Sequence, residues 1–100
     1  MVRHVVMWNF KPEITAAEKA QRKADMKKNL ESLVGKVPGL LNVTYVDQPI
    51  DSSTHEMALV TEHDKAEAIA VYASHPDHVH VADTYVRPFV HQRCALDYEV

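Results

Sequence analysis

The stretch that decides the fold is residues 2–10, Val-Arg-His-Val-Val-Met-Trp-Asn-Phe. Read as a strand, it puts His4, Val6, Trp8 and Phe10 on one face and Val5, Met7 and Asn9 on the other. Large apolar groups fall on both faces, which predicts a strand covered on both sides. Pro12 closes it. Thr15 followed by Glu18 forms a capping box, so a helix starts there and is expected to run to about Lys36, before Pro38-Gly39. Its second half carries an apolar stripe at Met26, Leu30, Leu33, Val34 and Val37. Its first half offers only Ala17, Ala20 and Ala24, which suits either close packing or room for a ligand.

Residues 40–47 alternate, with Leu41, Val43 and Tyr45 on one face and Asn42 and Thr44 on the other. A polar loop leads to a third strand over 55–62. There Met57 and Leu59 share one face, and Ala58 and Val60 the other. Asp64 is placed as the cap of a second helix with Ala66, Ile69, Ala70 and Ala73 at helical spacing. Pro76 disfavours helix at His75 and suits the first turn of a new helix, which runs to about Arg87. Residues 89–98 are the last strand, with Cys94 as a small core residue.

The order β-α-β-β-α-β is that of a ferredoxin-like α+β domain with a four-stranded antiparallel sheet. One layer of helices covers only one sheet face. A chain of 100 residues, 46% hydrophobic and 25% charged, has nothing left for the other face. A second copy of the sheet is the expected cover, through Val5, Met7, Ala58 and Val60, giving a homodimer.

Composition narrows the function classes. One domain over residues 1–100 is expected. No apolar run approaches the roughly 20 residues of a membrane-spanning helix. The N-terminus lacks the features of a secretory leader. A single cysteine allows no intrachain disulfide and no multi-thiolate zinc site, so a cytoplasmic home is expected. Residues 1–46 carry a net +4 and residues 47–100 a net −7. The cations Lys19, Arg22, Lys23, Lys27, Lys28 and Lys36 concentrate on the first helical segment, either as a solvated face or as a docking face for an acidic ligand or subunit. The two glycines form no phosphate loop, and the sheet lacks the basic-aromatic stretch of an RNA reader. No nucleic acid partner, membrane contact or cofactor is expected.

Seven histidines are the unusual feature, with three crowded into His75-Pro76-Asp77-His78-Val79-His80. Pro76 interrupts any shared helical face of His75 and His78, and His80 points roughly 200° from His78, so no metal site is expected. His75 and His80 read as exposed. At the start of a helix the macrodipole disfavours imidazolium at His78. A neutral imidazole there suits a general base. Tyr72 ends the preceding helix, where its hydroxyl could orient a carbonyl or share a proton. His4 reads either as a hydrogen-bonded core residue or as a third member of one site. That site would lie between helices and sheet against an apolar wall of Val6, Trp8, Met57 and Leu59.

The opening Arg3-His4-Val5-Val6-Met7-Trp8-Asn9-Phe10-Lys11, the His75-Pro76-Asp77-His78-Val79 element and the ending Leu96-Asp97-Tyr98 resemble the stress-responsive A/B-barrel (Dabb) family over nearly the whole chain. The resemblance implies a dimeric α+β barrel of two ferredoxin-like subunits. One branch cyclises linear polyketides by cofactor-free aldol condensation, using a tyrosine and the second histidine of His-Pro-x-His. Tyr72 and His78 match those positions, and His4 matches a supporting pocket histidine. The chain departs from that branch where Met57 stands for a pocket histidine and where Arg22 and Lys23 stand for bulky aromatics. A different pocket and substrate follow. Two readings stand side by side: a protein that binds a small carbonyl or aromatic compound, and a proton-transfer enzyme using His78 and Tyr72.

Overall fold

In the computed structural model, which describes all of residues 1–100, the chain runs β1 (Val2–Phe10), α1 (Ala16–Glu31), β2 (Leu40–Val46), β3 (Met57–His63), α2 (Glu67–Ser74), α3 (Pro76–Val81) and β4 (Val90–Glu99). A π-helical turn, Ala82–Val86, continues α3. The strands form one antiparallel sheet in the order β2-β3-β1-β4, with the helices on one face. This is the ferredoxin-like α+β fold read from the strand and helix order.

The core lies between the helices and the face carrying Val6, Trp8, Phe10, Leu59 and Tyr45. Thr15 caps α1 as expected, its hydroxyl accepting from the Glu18 amide at 3.2 Å. The helix stops at Glu31, five residues before the expected Lys36. The chain turns instead through Gly35, at φ +88°. Leu33 and Val37 still reach the core, but Val34 swings outward, 43% exposed.

Ala17, Ala20 and Ala24 face solvent, so the small-residue stripe neither packs on the sheet nor shelters a ligand. Long cationic side chains cover the sheet there. The Arg22 guanidinium lies 3.9 Å from the Phe89 ring centroid, and Lys19 lies over Phe10. Part of the basic segment is therefore packing material.

A bulge at Leu41 breaks the alternation of β2. Leu40 points inward with Tyr45, and Leu41 is 52% exposed. In α2 the buried side chains are Ala68 and Tyr72, and Ala66 rather than Asp64 occupies the cap position, without a side-chain bond. Ala66, Ala70 and Ala73 lie on the exposed side. Cys94 is not a core residue. It pairs in register with Met7 on the face away from the helices, its Sγ 3.7 Å from His55 Nε2.

That outer face is apolar. Val5 pairs with Val60 and Leu96, and Met7 with Ala58 and Cys94. No helix of the chain covers it, and Leu96 and Tyr98 are 65% and 40% exposed.

Candidate functional site

β1 brings His4, Val6 and Trp8 to the helix-facing side of the sheet, and β3 adds Leu59. A cavity of about 380 Å³ separates this surface from α2, α3 and the π-helical turn. His4, Val6, Trp8, Leu59, Tyr72 and His78 all line it. Met57 does not. It is 2% exposed and packed into the core, because its position at the β2 end of β3 lies away from the α2–α3 junction.

The junction is built by His75. Its ring nitrogen Nδ1 accepts from the Asp77 amide at 3.1 Å, making it the cap of α3, with Pro76 in the first turn. His75 is therefore half-buried and structural, whereas His80 is exposed as expected. The break turns the chain so that the Tyr72 and His78 rings lie with centroids 4.1 Å apart.

His78 Nδ1–H donates to the Ala73 carbonyl at 3.1 Å. A carbonyl only accepts, so this bond fixes the proton on Nδ1 and leaves the Nε2 lone pair free. Burial holds the imidazole below its ordinary 6.5. The Ala73 bond opposes that shift, while the positive charge of Arg87 reinforces it. Burial is the largest of these causes. Burial likewise pushes the Tyr72 hydroxyl up to about 12, so at neutral pH it is a donor.

His4 pairs with Asp97, its register partner on β4, through Nδ1–H to the carboxylate. The proton is thereby held on the side away from Nε2. His63, the last residue of β3, lies one position beyond the expected strand end and completes the cluster. It is fully buried, with ring centroids 5.3 Å from Tyr72 and 6.4 Å from His4. Its Nε2 bonds the Thr61 hydroxyl at 2.8 Å, and its Nδ1 has no partner. Burial and the neighbouring His4 lower its affinity for a proton. The signal for His63 was the period-2 run Met57, Leu59, Thr61, His63. The pairing of Asp97 with His4 had no local signal, because it spans 93 positions.

The wall is otherwise apolar, with Ala82 and Val86 from the π-helical turn and Arg87 and Arg93 at its edge. Short π-helical segments recur at functional sites. The arrangement can hold a small organic molecule, donate a hydrogen bond from Tyr72 and accept a proton at His78 Nε2.

This chain belongs to the stress responsive A/B barrel domain family, whose model matches residues 2–100. Similar solved structures share the fold at low identity. One, from Bacteroides fragilis, is described as a dimeric protein of unknown function with a ferredoxin-like fold. It is 24% identical with a TM-score of 0.90, the match covering 99% of this chain and 95% of that one. A Dabb family protein from Mesorhizobium loti is 22% identical, with a TM-score of 0.74 and coverage of 99% and 95%. A hydroxynitrile lyase from Passiflora edulis is 17% identical, with a TM-score of 0.70 and coverage of 97% and 90%. Comparison with curated proteins by sequence gives no match. No helix is long and apolar enough to cross a membrane.

Proposed function

We propose that this protein binds a small carbonyl compound in the cavity between sheet and helices and moves a proton on it. The observation that carries this reading is the tautomer of His78, a half-buried imidazole packed against the Tyr72 ring, whose Nδ1 proton is committed to Ala73 while Nε2 stays free. In this reading His78 Nε2 takes a proton from the carbon next to the ligand carbonyl. The Tyr72 hydroxyl hydrogen-bonds the carbonyl oxygen as it gains charge, and the proton returns from His78 to carbon. His4, held by Asp97, shapes the far wall with Val6, Trp8 and Leu59. The hydroxynitrile lyase among the structural neighbours supports the view that this fold accommodates chemistry on small organic molecules.

The assembly proposed with it is a homodimer in which two sheets meet through Val5, Met7, Val60 and Leu96, as in an α+β barrel. The dimeric neighbour supports it. A second reading, ligand binding without turnover, rests on the same cavity. A thermal-shift series with phenylacetone, an aromatic ketone, tests the site. Wild-type protein is expected to gain several degrees, and His78→Ala to lose most of that gain. Equal stabilisation of both proteins, or none of either, contradicts a ligand site around His78.

A further inference from the structure

We infer that the ligand is an anion, a carboxylate whose charge is taken by Arg93; this rests on the reading of the cavity as a ligand site. Strict alternation along β4 would place Arg93 opposite Met7, on the outer face. Instead Trp8 stands against two residues of β4, Gln92 and Arg93, and the register resumes with Cys94 opposite Met7. The bulge turns Arg93 to the helix-facing side, where it lines the same cavity as Tyr72 and His78. Gln92 makes that turn at φ +55°, the left-handed region that favours glycine. Its side-chain carbonyl is tied to Asn9 Nδ2 at 2.8 Å. Backbone held in such a region concentrates where a side chain must be aimed.

The charges around the cavity point the same way. No carboxylate lines it. The Asp97 carboxylate behind it is engaged with His4. Arg87 is matched by Asp83 at 2.5 Å. Arg93 has no acidic partner, since every ion pair in the chain uses other cations. An unpaired guanidinium at the edge of an otherwise apolar cavity fits a carboxylate in a forked, two-bond geometry. A ligand anchored there would extend its carbonyl inward toward Tyr72 and His78, so the preferred class is a small oxo acid, bound more tightly than a neutral ketone of the same shape.

Trp8 is the chain's only tryptophan and lines the cavity, so its fluorescence reports occupancy of this site. Titrations of wild type and Arg93→Gln with 3-oxooctanoate and its neutral amide, 3-oxooctanamide, test the inference. The two probes share a shape and differ in charge. Wild type is expected to bind the acid at least ten-fold more tightly than the amide. Arg93→Gln is expected to bring the two within two-fold, chiefly by weakening the acid, and Arg93→Lys to restore part of the preference. Equal binding of both probes to wild type, or a preference that survives Arg93→Gln, overturns the anion assignment and leaves the ligand site standing. Failure of both probes to bind overturns the assignment and the site together.

Discussion

The rings of Tyr72 and His78 approach to 4.1 Å between centroids although they belong to different helices. Within one helix a separation of six residues places side chains about 120° apart around the axis, on different faces. Pro76 and the His75 cap remove that restriction, and the Ala73 carbonyl at the end of α2 then fixes the tautomer of a histidine in α3.

This local design predicts an effect of the cap that is separate from the chemistry. His75→Ala removes the acceptor for the Asp77 amide and is expected to cost about 1 kcal/mol in urea unfolding. His75→Asn supplies another capping side chain and should recover most of it. Equal loss in both variants would contradict a capping role.

Stability should fall in acid, with a sign set by His63 and His78. Both have folded-state pKa values depressed below the ordinary 6.5 by burial. The unfolded chain therefore binds their protons first. The stability held by the neutral forms is complete above about pH 6.5 and is lost as pH falls through the folded values. Urea unfolding at pH 7.5 and 5.5 should show wild type weakened at the lower pH. His63→Phe should weaken less, because it removes one buried titrating ring. Identical slopes would contradict the assignment to His63.

Glycine is required at position 39 for two reasons. Its φ is +80°, and a Cβ would come within 2.8 Å of Ala68 Cβ and 2.9 Å of Asp64 Oδ1. At Gly35, also left-handed, a Cβ meets nothing within 4 Å. Gly35→Ala is thus expected to cost roughly 1–2 kcal/mol, the left-handed penalty alone. Gly39→Ala should cost measurably more, because α2 must move away from β2. Similar melting temperatures for the two variants would contradict this.

The outer face supplies a prediction about assembly. The protein is expected to sediment at twice its 11.3 kDa chain mass. Leu96 is 65% exposed in the single chain, so Leu96→Asp should leave the subunit fold intact while placing an unpaired charge in the interface. A cost of several kcal/mol follows from burying it, and the variant should sediment as a monomer. A wild-type monomer, or a dimer that tolerates Leu96→Asp, would contradict this interface.

The alternation in Val2–Phe10, the Thr15–Glu18 cap and the Pro76 break made the element order and sheet faces legible in the sequence, because each depends on neighbours a few positions away. The same local signals brought His4, Val6, Trp8, Leu59, Tyr72 and His78 to notice, and the fold places all six on one cavity. Met57 fails that test because its depth along β3 depends on where the helices end, not on its face. Bulges at Leu41 and Gln92 each shift the alternation by one residue, and neither position carries the glycine that would have marked it. The mistaken alanine stripe has a different cause. Packing of α1 uses the stems of Lys19 and Arg22 on aromatic rings, which a count of apolar residues misses. Asp97 and Arg93 reach the site only through strand pairing.

The central claim is that His78 and Tyr72 move a proton on a bound carbonyl compound. Exchange of the α-protons of phenylacetone for deuterium in D₂O, followed by proton NMR, tests it most directly. Wild-type protein is expected to accelerate exchange over buffer. His78→Ala should lower the enzyme-dependent rate by about 10²-fold or more, the scale of a lost general base, and Tyr72→Phe by a smaller factor. The wild-type rate should fall in acid with a midpoint below the ordinary 6.5 of a free imidazole, as His78 becomes protonated. Exchange no faster than in buffer, or equal rates for wild type and His78→Ala, would contradict the account.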